Sequence, residues 1–275
     1  MAKRRYSLTE DKIKKWIKEG RGSGQLKEYK PWLTIHDVPS IGNSSRLKGW
    51  KTSRIHHFLS NVEKNYFFLL EWSDIVLDIR EQYPLNREET LRIAEKLNIP
   101  HPMDNSVLTV MTTDFLITVK GNGKSKSIAR TIKPASELEK ERVIEKLEIE
   151  RVFWEEKNVD WAIVTDMDIP KEFAKNVSWL HNFYQLPGKD DHATALLFLK
   201  YLKNFRESPI KVVEVCTLFD EEYSLEFGSS INFFKHLLAK KFIELDMNQK
   251  INLPTLQVSQ MKIHEQEDQN ELYSS

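Results

Sequence analysis

The sequence predicts an α/β chain: a mixed β-sheet with flanking helices, followed by a mostly helical, winged-helix-like C-terminal domain. Three observations predict it. Residues 112–134, TTDFLITVKGNGKSKSIARTIKP, alternate with a period of two on both sides of a Gly-Asn-Gly turn and read as a β-hairpin. Residues 136–157 have helical periodicity and lead into the apolar run VDWAIVTD, so strand, helix and strand make a crossover unit expected to pair in parallel and right-handed. Beyond Pro170 come three helical segments and a candidate hairpin.

The elements follow in order. SLTEDKIKKWIKE (7–19) opens on a Ser/Thr cap, places Ile13, Trp16 and Ile17 on one helical face, and stops at GRGSG. In SNVEKNYFFLLEW (60–72), Ser60 caps a helix whose apolar stripe runs through Val62, Tyr66, Phe67, Leu69 and Leu70. The apolar run DIVLDIREQYPL ends near Pro84 and reads as a strand. In the hairpin, Phe115, Ile117 and Val119 share one face, and Asp114, Leu116 and Thr118 the other; Ile128, Arg130 and Ile132 alternate against Ala129, Thr131 and Lys133. Ser136 with Glu139 reads as a capping box for the long helix that follows. VDWAIVTD is suited to burial on both faces. Residues 192–204, 210–223 and 229 onward read as helices, and FIELDMNQKINL (242–253) as a small hairpin. Two domains are expected, 1–168 and 169–275.

Composition limits the function. The 275 residues, 40% hydrophobic and 11% aromatic, bury a substantial core, and no window has the apolar length of a membrane span or the pattern of a secretory leader. A single cysteine, Cys216, excludes an internal disulfide framework and a cysteine zinc site. Net charge is zero, but residues 1–54 hold 14 Lys/Arg against five Asp/Glu, and the tail after Lys262 carries only acids. The basic end suits a phosphate backbone; it is also what a solvated N-terminal segment looks like. Arg4, Arg5, Lys14, Lys15, Arg21, Arg54 and His57 are the candidate DNA contacts there, with Lys235 in the C-terminal helical region. There is no Walker loop, dinucleotide fingerprint or zinc helix.

The chemistry-bearing residues gather on the hairpin. Asp114 and Lys133 fall on faces that meet at the strand ends, and Glu63 lies on the preceding apolar helix, expected beside the same sheet. Phosphodiester cleavage asks more than one acid or base supplies, roughly 10²- to 10⁴-fold. A divalent cation on oxygen ligands, with a lysine near the attacking water, meets that need. Pattern alone leaves a second reading open, a cross-strand ion pair and an exposed helix carboxylate.

The order of helix, three strands, helix and strand is that of restriction-endonuclease-like nucleases. The strings IVLDIREQYPL, VMTTDFL, IKPASELEKERVIEKLEIERVFW, WAIVTDMDIP and NVSWL, all between residues 75 and 180, resemble the TnsA family, endonuclease subunits of heteromeric Tn7-type bacterial transposases, and the resemblance covers nearly the whole chain. The resemblance implies a restriction-endonuclease-like N-terminal domain that cuts the 5′ strand at each transposon end and leaves the other strand to an RNase H-like partner transposase. It places the catalytic residues on Glu63, Asp114 and Lys133, with Mg²⁺ as cofactor and Mn²⁺ as substitute. It also implies double-stranded DNA at transposon ends and an AAA+ ATPase regulator as partners, no membrane, and a bacterial cytoplasmic, nucleoid-associated location. One position departs from the pattern: two residues before the lysine this nuclease class has Glu or Gln, and here stands Thr131. The expected metal shell is therefore Glu63, Asp114, the backbone carbonyl of Ile132 and water, with Thr131 a poor ligand. A stand-alone restriction or repair nuclease and a catalytically silent DNA-binding adaptor are the alternatives.

Overall fold

The computed structural model describes residues 8–38, 43–188 and 191–264. The chain divides into two compact units, Met1–Ile169 and Pro170–Ser275. In the first, α1 (Glu10–Lys18) is capped by Thr9 and buries Ile13 and Trp16 against Trp32. The ribbon β1 (Ser45–Lys48) and β2 (Ile55–Phe58) leads into α2 (Asn61–Trp72). Then come β3 (Val76–Pro84), α3 (Arg87–Lys96), the two-residue strands β4 (Met103–Asp104) and β5 (Val107–Leu108), the hairpin β6 (Thr112–Val119) and β7 (Lys126–Lys133), α4 (Glu141–Glu156) and β8 (Asp160–Thr165).

The central sheet has the order β3-β6-β7-β8, antiparallel except for the parallel pair β7/β8. The expected mixed sheet is therefore present. Its two faces are covered differently. Leu116 and Ala129 pack with Ile93 of α3 and Ile149, Phe153 and Trp154 of α4, while Phe115 on the opposite face meets Phe58 and Tyr66. The end of β3 nearest α1 is crowded: Gly22, at φ +77°, lies so close to Pro84 that an added Cβ would come within 2.1 Å of its Cγ.

Three expectations change. Ser136 does not start the long helix: residues Ala135–Glu139 form a 3-10 turn, and α4 begins at Glu141. The backbone N–H of Ala135 is held by the carboxylate of Asp166 at 2.8 Å, which fixes the turn before the helix can propagate back. β8 is an edge strand, half-buried along nearly all its length, so its apolar run marks sheet membership rather than burial on both faces. The expected hairpin at 242–253 is also different, as its second strand lies later.

The second unit contains α5 (Lys171–Leu180), α6 (Asp191–Lys203), α7 (Val212–Glu222) and α8 (Ser229–Ala239), around a core of Phe198, Phe219, Phe234 and Leu237. β9 (Ile243–Glu244) pairs with β10 (Lys262–Ile263), and Gln257 bridges Lys211. Residues 246–253 form the connection instead of a returning strand; Asn176 fastens it by donating to the carbonyls of Met247 (2.9 Å) and Gln249 (2.8 Å). Cys216 is buried among these helices, which pushes its thiol up to about 12. Among the described residues no helix is long and apolar enough to cross a membrane.

Candidate active site

The site forms where the hairpin opens. β6 and β7 pair from Val119/Lys126 to Phe115/Arg130, and there the ladder ends. The next donor on β7, the N–H of Ile132, finds a side-chain acceptor: Oδ2 of Asp114 at 2.7 Å. A backbone acceptor is thus replaced by a carboxylate, which fixes Asp114 at the point of divergence. The same Oδ2 accepts from Lys133 Nζ at 2.9 Å, and Nζ also donates to the Ile132 carbonyl at 2.9 Å. Burial opposes the lysine's charge, yet the Asp114 carboxylate outweighs it and holds the ammonium above its ordinary range.

Glu63 arrives from the other layer. Ser60 caps α2 and accepts the Glu63 N–H at 3.1 Å, while the Glu63 carboxylate turns back to accept from the Ser60 hydroxyl (2.9 Å) and the Leu59 N–H (3.0 Å). This cap, with the carboxylate turned back onto it, aims Glu63 at the open end of the sheet. Between it and Asp114 lies Gln82, whose Nε2 is 3.4 Å from Glu63 Oε2 and 3.5 Å from Asp114 Oδ1. Burial, reinforced by the negative charge of Asp114, pushes Glu63 up to about 7.

Two buried carboxylates that repel each other, beside a backbone carbonyl, fit a hard divalent cation, which would offset both burial and repulsion. Among the described residues no group of three or more His, Cys, Asp or Glu side chains converges as a ready-made metal cage. The fit therefore rests on two acids, the Ile132 carbonyl and water, as Mg²⁺ tolerates. Thr131 is buried with its hydroxyl donated to Glu150 Oε1, which explains how a short side chain is accommodated.

Glu150 is a residue that sequence reasoning missed. It projects from α4 and gathers the Thr113 hydroxyl (2.7 Å), the Thr131 hydroxyl and the Trp161 indole N–H (3.1 Å) on one oxygen. Burial pushes it up to about 7, with hydrogen bonds from both threonines opposing and Asp114 adding to the rise. A signal existed: helical spacing puts residue 150 on the stripe of Leu147 and Trp154, an acid on an apolar face.

The candidate DNA contacts separate into two groups. Lys14 and Lys15 are exposed on α1, and His57 is half-buried beside His36. Arg54 is a correction: it is buried, its guanidinium on the carboxylate of Glu81 and the Ile79 carbonyl (2.7 Å), with His56 Nδ1 2.8 Å from the same carboxylate. A buried charge demands such a partner. Burial alone would push Glu81 up, but His56 and Arg54 together hold it well below the usual carboxylate range. Arg21 is likewise engaged, by Asp37, the Trp32 carbonyl and the face of Trp16. Lys235 lies over the rings of Trp179 and Phe183 in the second unit. Arg4 and Arg5 lie outside the described residues. His101 is tied to Thr90 at 3.0 Å, as a packed polar residue is.

The mixed sheet with flanking helices is that of a restriction-endonuclease-like fold, and its diverging hairpin strands carry Asp114 and Lys133. Residues 73–166 match the family described as "TnsA-like endonuclease N terminal", and residues 168–247 match "TnsA endonuclease C terminal". The chain is 40% identical over 249 residues, 90% of each chain, to "Transposon Tn7 transposition protein TnsA" of Escherichia coli. It belongs to the TnsA family, the nuclease subunits of transposases, whose endonucleases use a divalent metal and act on DNA with other transposase subunits.

Proposed function

We propose that this protein uses Mg²⁺, with Mn²⁺ as substitute, to cut the 5′ strands at transposon ends, and that Glu63, Asp114 and Lys133 do the chemistry. The observation that carries the reading is the single Asp114 oxygen shared by the Ile132 N–H and Lys133 Nζ. It ties metal ligand, ligand carbonyl and lysine into one unit. Glu63, Asp114 and the Ile132 carbonyl would hold the ion, which when bound supplies Lewis-acid stabilisation of the phosphate and a more acidic water. Lys133 is oriented by Asp114 so that its ammonium stands beside the attacking water and the developing charge. Glu150, behind Thr131, keeps the β7 end in place through its hydroxyl contacts.

The N-terminal unit, residues 1–168, is read as the catalytic domain, and 169–275 as a winged-helix-like domain for partner contact. The helices α6, α7 and α8 with the ribbon β9/β10 and the Lys211–Gln257 bridge support that reading. The partners are an RNase H-like transposase for the opposite strand and an AAA+ ATPase regulator, in the bacterial cytoplasm at the nucleoid. DNA phosphates are met by Lys18, Lys30 and His57, which line one cleft of about 630 Å³ with Arg21.

The test is strand-specific cleavage of transposon-end DNA in Mg²⁺ with the partner transposase present. Wild type gives 5′-strand cuts, and Asp114→Ala loses them by at least about 10³-fold while opposite-strand cuts persist. Equal 5′ cutting by both proteins removes Asp114 from the chemistry. No 5′ cutting by either, with opposite-strand cuts intact, favours the silent adaptor.

A further inference from the structure

Gln82 has a backbone that its side chain does not suit. It sits within β3, flanked by the regular pairs Glu81/Phe115 and Tyr83/Thr113 and thus across from Asp114, yet its φ is +48°. The left-handed region strains any side chain with a Cβ, and a long one has no local compensation there. The pairs on either side keep one register while Gln82 itself pairs with no residue of β6, so the ladder is interrupted there without an inserted residue. Glycine would adopt the same backbone freely. What glycine lacks is the amide.

Gln82 is 2% exposed, and its amide has partners on both its oxygen and its nitrogen. Its Oε1 accepts from the Thr112 hydroxyl at 3.3 Å, and its Nε2 reaches Glu63 on one side and Asp114 on the other. The backbone carbonyl of Gln82 accepts the Trp32 N–H at 3.2 Å, and the Tyr29 hydroxyl donates to the neighbouring Glu81 carbonyl at 3.0 Å, so the N-terminal segment clamps the strained peptide from outside. Strain that is over-determined on one side and spends itself on two acids on the other marks a functional residue.

We infer that Gln82 is a positioning residue for the metal: its carboxamide fixes the separation and orientation of Glu63 and Asp114 before the ion binds, filling from β3 the polar role that Thr131 leaves vacant on β7. This rests on the proposed metal site. Thr131 spends its hydroxyl on Glu150. Among the described residues, Gln82 is the side chain whose recorded hydrogen bonds join the two acids. Ordering them in advance removes a cost from metal binding.

The experiment measures Mn²⁺ binding by calorimetry on the full chain without DNA, for wild type, Gln82→Gly, Gln82→Asn and Asp114→Ala, with circular dichroism of each in EDTA. Glycine is at ease at φ +48°, and asparagine is the side chain next best tolerated there, but its amide is one methylene too short to span both acids. Both variants therefore keep the fold. Their Mn²⁺ dissociation constants rise about ten- to a hundredfold, the usual effect of losing an outer partner of metal ligands. A constant within twofold of wild type in either folded variant overturns the inference and makes Gln82 a packing residue. Asp114→Ala reports on the underlying site: if it binds Mn²⁺ as wild type does, the metal site itself is misassigned, whatever Gln82 does.

Discussion

Glu71 shows what buried acids cost this fold. It is 3% exposed on the last turn of α2 and accepts the Trp50 N–H, and burial pushes it up to about 7. Glu63 and Glu150 stand at about the same value. A carboxyl whose folded value lies above its unfolded one, near 4.5, stabilises the protein fully below about 4.5, and that contribution is lost as pH rises to about 7. Between pH 5 and pH 7.5 the metal-free protein therefore loses stability at these three carboxyls, whereas it gains stability at His56, His57, His101 and His236, whose burial lowers their values. Glu71→Gln, neutral at every pH, should recover on the order of 3 kcal/mol of that loss. Urea unfolding in EDTA at the two pH values checks it; an unchanged difference in the variant would show that Glu71 is ionised throughout. Glu150 makes a separate prediction. Glu150→Ala strands the Thr113 and Thr131 hydroxyls in the interior, leaves the Trp161 indole N–H with Thr131 Oγ1 alone at 3.2 Å, and should cost about 2–3 kcal/mol, read from the same urea curves.

At the scale of elements, the segment around Gly22 holds the end of β3. Its positive φ and its approach to Pro84 leave no room for a methyl group. Gly22→Ala should cost about 2 kcal/mol and weaken Mn²⁺ binding along with it, because the segment that clamps Gln82 would be displaced. Wild-type stability and metal affinity in that variant would separate the segment from the site. The hairpin was legible in sequence because a strand paired on both sides writes its faces into alternation, and Asp114 and Lys133 stood where that alternation ended. α3 was not legible: only Thr90, Ile93 and Ala94 are buried, so REETLRIAEK shows little stripe, although the Asn86 cap over Glu88 and Glu89 was there to read. Gln82 left no trace, since a left-handed residue inside an apolar run changes no pattern. The distant strand β10 was hidden for a different reason. A two-residue partner 18 positions away from β9 is chosen by tertiary packing, not by local periodicity.

For the whole molecule, a net charge of zero means that DNA affinity must come from distribution. The structure divides the N-terminal basic residues into those buried against a carboxylate and those exposed to solvent, Lys30 among the latter although its Nζ donates to the Glu19 carbonyl at 2.9 Å. Arg54 belongs to the first kind, and Lys18 and Lys30 to the second, both exposed on the cleft that His57 also lines. Each phosphate contact releases close to one counterion, so the logarithm of affinity falls with the logarithm of salt by about 0.9 per contact. Replacing Lys18 and Lys30 together by alanine should lower that slope by about 2 and weaken binding to unrelated duplexes equally, with unfolding unchanged. Arg54→Ala should do the reverse. It leaves Glu81 buried without its guanidinium, which costs about 3–5 kcal/mol of stability, while the salt slope of the folded fraction stays at the wild-type value. Fluorescence anisotropy of labelled duplex at several salt concentrations, paired with urea unfolding, distinguishes the two. If the lysine pair leaves the slope untouched, the cleft does not carry the DNA, and the phosphate track must run over the exposed lysines of α1 instead.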